Sequence, residues 1–186
     1  MAQIEAQRLL SLAERANSLC YFDLECTNLN GDYGSIMIGS IKPYEGKVTT
    51  YTVDTVGEDK SVCEQIRNEL HKYDVWVSYY GKGFDTVMLQ ARLLVNNLAQ
   101  LEKRHHVDLY YVLTSRIKTS RRSQAHFLSF LSAEEQKMTV GANEWNKCLS
   151  RNEESFNKMI KRCESDVEGL KALYEKCRHL IVEVTR

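Results

Sequence analysis

The sequence predicts an α/β domain whose mixed sheet holds three antiparallel strands followed by two more, covered by helices. Three observations predict it. Residues 21–54 divide into short apolar and β-branched runs separated by turn-forming residues, as consecutive hairpin strands do. Residues 74–93 read as strand, glycine turn and helix. From about Glu153 to Val182 the chain has no proline, few β-branched residues and an apolar stripe through Phe156, Met159, Cys163, Val167, Leu170 and Tyr174, the mark of a long helix packing one face. With 186 residues, 43% of them hydrophobic, the chain can bury one substantial core, so a single domain is expected.

Residues 1–18 place Leu9, Leu12, Ala13 and Ala16 at helical spacing, while Glu5 and Glu14 interrupt what a signal peptide keeps apolar. They read as a helical lead to a domain spanning residues 19–186. The first strand contains Tyr21-Phe22-Asp23-Leu24-Glu25. Successive side chains of a strand point to opposite faces, so Asp23 and Glu25 emerge together. Two neighbouring carboxylates repel, and a divalent cation is the usual compensation; the plain alternative is an edge strand with a solvated polar face. A turn through Asn28 to Asp32 leads to a second strand over 34–41, and the turn from Pro43 to Gly46 leads to a third over 47–54.

Val62, Ile66 and Leu70 recur every four residues, which predicts a helix from Ser61 to Tyr73. Asp74 to Tyr79 is a compact apolar strand; Tyr80-Gly81-Lys82-Gly83 breaks it, and Phe84-Asp85 opens the next helix. Asp85 at that helix start is either an N-terminal cap or a further acid of a site. The two glycines are weak evidence for a phosphate-binding loop, because no Lys-Ser or Lys-Thr follows them. His105-His106-Val107-Asp108-Leu109 reads as a short strand ending in a helix start. Its adjacent histidines point apart, do not share a metal as a helical pair can, and are expected at the surface. Arg116, Lys118, Arg121 and Arg122 form the densest basic cluster, just before a helix carrying Phe127, Leu128 and Leu131. They are either a solvated helix start or contacts for a polyanion. Asp166 borders the apolar stripe of the last helix, where an aspartate is more often half-exposed than catalytic.

Composition limits the partners. The 25 basic and 25 acidic residues cancel, so there is no global field to draw nucleic acid or an anionic membrane, and a polyanion has to be held locally. The six cysteines show no CxxC pair and no metal-finger spacing, which points to buried free thiols in a reducing, cytoplasmic compartment. No stretch approaches the roughly 18 apolar residues of a membrane span.

Three segments taken together carry a resemblance. Phe22-Asp23-Leu24-Glu25, then Tyr80-Gly81-Lys82-Gly83-Phe84-Asp85, then Cys163-Glu164-Ser165-Asp166-Val167-Glu168 resemble, in order and spacing, the three motifs of the DEDD 3′–5′ exonucleases of the ribonuclease H-like superfamily. The likeness runs from about residue 20 to residue 181 and is greatest to the predicted-exonuclease branch with a YprB-type ribonuclease H-like domain; His106 to Tyr111 and Ser120 to Ser123 also look like connecting segments of that branch. The resemblance implies a ribonuclease H-like mixed five-stranded sheet of order 3-2-1-4-5. It implies an enzyme that hydrolyses phosphodiester bonds at single-stranded DNA or RNA ends, with Asp23, Glu25, Asp85 and Asp166 as catalytic metal ligands. Four carboxylates suit two hard cations, Mg²⁺ or Mn²⁺ rather than zinc, because no cysteine or histidine has a motif position. Lys82, Arg121, Arg122 and Arg162 are the candidate phosphate contacts.

The sequence departs from that pattern twice. Tyr80-Gly81 stands where relatives carry an Asn before Phe-Asp, and Arg162 stands one turn before Asp166, where one class carries Tyr and the other has His nearby. Arginine stays protonated and is no general base; it is suited to bind a substrate phosphate or to quench a neighbouring carboxylate. His126, Glu164 and Glu168 are weak candidates for the base. Two further readings therefore stand beside the exonuclease: a catalytically weakened nucleic-acid-binding protein on a nuclease fold, and a structure-specific endonuclease.

Overall fold

A computed structural model of the chain describes residues 1–133 and 141–185; Arg186, the last residue of the expected domain, lies outside them. Among the described residues there are five strands, β1 (Leu19–Cys26), β2 (Ile36–Pro43), β3 (Thr49–Thr52), β4 (Val75–Ser78) and β5 (His105–Asp108). They form one sheet in the order β3-β2-β1-β4-β5, as the resemblance implied. Strands β1, β2 and β3 pair antiparallel, whereas β4 pairs parallel to both β1 and β5. The helices are α1 (Ala2–Arg15), α2 (Lys60–Leu70), α3 (Asp85–Val95), α4 (Leu109–Arg116), α5 (Gln124–Phe130), α6 (Ala142–Leu149) and α7 (Glu153–Cys177).

The alternation of β1 sorts the core. Cys20, Phe22 and Leu24 pack with Val62, Ile66 and Leu70 of α2 and Met88 and Leu89 of α3. Leu19 and Tyr21 pack on the other side with Leu10 of α1, Leu113 of α4 and the second half of α7, from Val167 to Tyr174. By the same period of two, Asp23 and Glu25 continue the face that Leu19 and Tyr21 begin, which turns them towards α7. Close approach of α2 to β2 depends on Gly39, where a Cβ would stand 2.4 Å from Ile66 Cδ1.

Several expectations from the sequence need correction: the second strand runs over Ile36–Pro43 rather than 34–41, and the helix expected to reach Tyr73 ends at Leu70. The buried face of α1 is Ala6, Leu10 and Ala13, while Leu12 is half exposed, because the helix is held by its C-terminal neighbours: Arg178 binds Glu14, and Tyr174 Oη donates to Glu14 Oε1 at 2.6 Å. The third strand is shorter than 47–54, an edge strand of four residues. The last helix stops at Cys177 instead of running to Val182; one 3₁₀ turn follows, and the chain then extends to bridge Thr185 to His106 of β5. Residues after that turn include Ile181, Val182, Val184 and Thr185, whose branched Cβ atoms favour extended backbone. The six cysteines are all buried free thiols. Among the described residues no helix is long and apolar enough to cross a membrane.

Candidate metal centre

The acid pair stands on the part of β1 that outlasts its parallel neighbour. Strand β4 pairs with β1 only over Leu19 to Tyr21, so beyond that point no strand among the described residues pairs with β1 on this side. The Leu24 N–H on this edge donates to Asp85 Oδ1 at 3.0 Å. Asp85 is the first residue of α3, with Phe84 as the N-cap, so its carboxylate does not cap the helix as an N-cap side chain would; it pins β1 to the start of α3. Burial pushes the Asp85 carboxyl well up, the Asp23 charge raises it further, and the Leu24 N–H bond opposes both.

Asp166 arrives from the opposite side. It lies on α7 between the apolar stretch ending at Cys163 and the one beginning at Val167, and it is only 1% exposed, in contrast to the half-exposed position expected of it. The helix is held there by Gln124 Nε2, which donates to the Asp166 carbonyl at 2.8 Å, and by close packing at Gly169, where a Cβ would meet Leu128 Cδ1 at 3.0 Å. One carboxylate oxygen each from Asp23, Glu25 and Asp166 lies within 4.8 Å of the others. Oxygen donors at this spacing, charged and largely out of water, suit a hard divalent cation. Arg162, one turn earlier, places Nε 3.4 Å from Glu25 Oε1 and 3.8 Å from Asp166 Oδ2.

These groups open onto a cleft of about 400 Å³, whose walls include Phe84 of the second motif and Trp145 of α6. Trp145 is not among the residues the sequence pointed to; it is the one aromatic side chain of the helix from Ala142 to Leu149, and that is the signal that marks it. Of the other expected contacts, Lys82 lies outside this cleft, with Nζ donating to Thr185 Oγ1 at 2.6 Å. Arg121 and Arg122 are exposed on the connection between α4 and α5, where the Arg122 carbonyl accepts from Tyr79 Oη. Glu164 and Glu168 turn to the antiparallel strands: Glu164 accepts from Thr50 Oγ1 at 2.9 Å, and Glu168 pairs with Lys42 at 3.0 Å.

The glycine turn is explained by Asp108. Its carboxylate accepts the N–H groups of Tyr80 at 2.8 Å, Lys82 at 3.0 Å and Tyr110 at 3.1 Å, so the turn amides of Tyr80 and Lys82 are directed inward and not at a phosphate. Gly81 is fixed by space: a Cβ there would stand 2.3 Å from Ser78 Oγ. His106 is a buried core residue rather than a surface one, with Nε2 2.7 Å from Ser78 Oγ; burial and the nearby Lys82 charge lower it to about 3. An Asp at a strand end before a helical run is an N-cap signal, and Asp108 does cap α4.

The RNase_H_2 family model, of the RNase H superfamily, matches residues 20–178. The structure is similar to that of the family B DNA polymerase from the hyperthermophilic archaeon Pyrobaculum calidifontis, with a TM-score of 0.69 at 17% sequence identity; the match covers 86% of this chain and 24% of the polymerase. The chain thus spans about a quarter of that protein. Comparison with curated proteins gave no match.

Proposed function

The chain belongs to the RNase_H_2 family of the RNase H superfamily, and from that premise we propose that it is a metal-dependent nuclease: a 3′–5′ exonuclease of the DEDD type, in the YprB-like branch, acting on single-stranded DNA or RNA ends. The observation that carries this reading is the convergence of Asp23, Glu25 and Asp166, drawn from an extended strand and a distant helix, at the floor of an open cleft. Crowding three carboxylates is costly unless a cation is bound, and a stable core gains nothing from it. Residues 19–186 form the nuclease unit in this reading and residues 1–18 its helical lead. Free buried thiols support a reducing, cytoplasmic location.

Each residue has a defined task. Asp23, Glu25 and Asp166 would hold the ions, and Asp85, the fourth acid expected of the site, fixes the strand that presents the pair. When bound, two Mg²⁺ or Mn²⁺ ions supply the Lewis acidity for attack by water and for departure of the 3′ oxygen. Phe84 and Trp145 offer flat apolar walls against which a terminal base stacks. Lys82, Arg121 and Arg122 contact phosphates further along the strand. The test is incubation of end-labelled single-stranded DNA and RNA with Mg²⁺ or Mn²⁺, comparing wild type with Asp23→Ala. A ladder made by wild type and lost in the variant is expected; cleavage that persists in Asp23→Ala removes this site from consideration, and cutting of a closed circle reassigns it to an endonuclease.

A second reading is favoured by one observation, the contact of Arg162 with Glu25 and Asp166. A cation belonging to the protein in that place suits a binding protein with weakened cleavage. Oligonucleotide bound and left intact in both ions would select it.

A further inference from the structure

Arg162 is expected from the sequence to contact a substrate phosphate, yet it stands among the groups that fit the ions. Its Nε lies 3.4 Å from Glu25 Oε1 and 3.8 Å from Asp166 Oδ2, two of the three residues that form the candidate cation site. The guanidinium has the charge of a cation and addresses the same carboxylates. A divalent ion coordinated by those oxygens at its usual 2.0–2.6 Å leaves little room for it.

The contact is loose. A strong arginine–carboxylate pair has N–O distances of about 2.7–2.9 Å and engages both oxygens. The chain contains such a pair for comparison: Arg92 holds fully buried Asp59 through Nε at 2.7 Å and Nη2 at 3.0 Å, with Asn96 and the Ile36 N–H completing the acceptor. Arg162 matches none of this. Its side chain is 23% exposed while those of Glu25 and Asp166 are 7% and 1% exposed. Its Nη1 rests 3.8 Å from Met159 Sδ on its own helix, and it lines the open cleft. The carboxylates stand on β1 and α7, whereas the guanidinium is carried on a long stem and is partly exposed in the cleft.

We propose that Arg162 is a displaceable counter-ion: its guanidinium and a divalent cation compete for Glu25 and Asp166, and ion binding expels the guanidinium into the cleft. This rests on the metal-dependent reading of the site. Competition lowers ion affinity and sets the free-ion concentration at which the site fills, and it keeps crowded carboxylates compatible with a folded ion-free protein. Once expelled, Arg162 is placed to meet a phosphate of the nucleic acid in the same cleft.

The test needs no nucleic acid. Mn²⁺ binding to the full chain is measured by calorimetry, and thermal melting is recorded with and without Mn²⁺, for wild type, R162M and R162Q. R162M keeps the stem packed against Met159, and R162Q guards against an effect of packing alone. Both variants are expected to bind Mn²⁺ at least tenfold more tightly than wild type, to melt lower without the ion, and to gain more from adding it. Binding that is equal in all three, or weaker in the variants, overturns the inference and leaves the metal-dependent reading in place. Mn²⁺ binding in none of the three overturns both.

Discussion

Two buried polar clusters lie at the same end of the sheet, and they solve the burial of charge in opposite ways. At the ends of β4 and β5, Asp108 turns its carboxylate on three backbone N–H groups, and His106 stays neutral against Ser78. At the end of β1, carboxylates of Asp23, Glu25 and Asp166 turn towards one another and towards an open cleft. Both clusters contain nearly inaccessible acids, and both raise an aspartate, Asp108 in one and Asp85 in the other, chiefly by burial. Burial and a shifted acid are therefore poor guides to a site in this molecule. The informative difference is what the oxygens face: backbone donors in the first cluster, and in the second one another, the loosely held Arg162 and an open cleft.

That contrast is sharpest in a crossed pair of substitutions. Asp166→Asn removes one of the crowded charges and keeps the shape, so cleavage of end-labelled single strands is expected to fall by on the order of a thousandfold, about 4 kcal/mol in barrier, with little change in Tm. Asp108→Ala is expected to do the reverse. Three backbone donors lose their acceptor, which costs about 3 kcal/mol of stability by denaturant titration, while cleavage per folded molecule stays within a few-fold of wild type. If Asp108→Ala abolishes cleavage at a temperature where it is folded, the two clusters are one functional unit and the division fails.

Asp85 is the residue that belongs partly to both kinds. It accepts a backbone N–H, as Asp108 does, and stands in the field of Asp23, as the metal-site acids do. Asp85→Ala removes the acceptor and is expected to lower ion-free stability by about 1 kcal/mol. Asp85→Asn retains an acceptor oxygen and is neutral without taking up a proton, so the ion-free protein is expected to melt no lower than wild type. Both lose cleavage. Equal melting of the two variants would mean that the Leu24 hydrogen bond contributes nothing measurable.

What could be read in the sequence follows the range of the interactions. The alternation of a strand suffices to place Asp23 and Glu25 on one face, and the strand–turn–helix run places Asp85 at a helix start. Neither needs a partner elsewhere in the chain. The strand order came from the resemblance, because nothing local ties β1 to β4 across the intervening β2, β3 and α2. Asp108 was legible as a helix start, but its larger role depends on the 80–82 turn folding over the end of β5, a contact across 28 residues in sequence. The burial of His106 likewise follows from register, since parallel pairing sets it beside Trp76. Leu10 and Leu12 of α1 are chemically alike, and the choice between them was made by Tyr174 and Arg178 at the far end of the chain. Trp145 reaches the cleft because α6 packs beside α7, which its own neighbours in sequence do not announce.

The smallest expected effect separates the clusters by pH. His106 has its folded value lowered from 6.5 to about 3, so the unfolded chain binds a proton that the folded chain refuses. Stability through this group is complete above about pH 6.5 and declines as the pH falls from there towards 3; between pH 7 and 5.5 the loss is about 1 kcal/mol. Asp85 and Asp108 have the opposite sign. Their folded values are raised, so the folded protein takes up the proton first, and acidification through their range is stabilising. The net slope of wild type mixes these contributions, so the quantity to measure is the difference in unfolding free energy between wild type and His106→Gln from pH 7 to 5.5. The Gln variant is expected to be less stable at pH 7, because the Ser78 contact changes, but to lose less on acidification. Parallel curves would show that His106 already carries its proton in the folded state, and that Ser78 receives a hydrogen bond from an imidazolium inside the core.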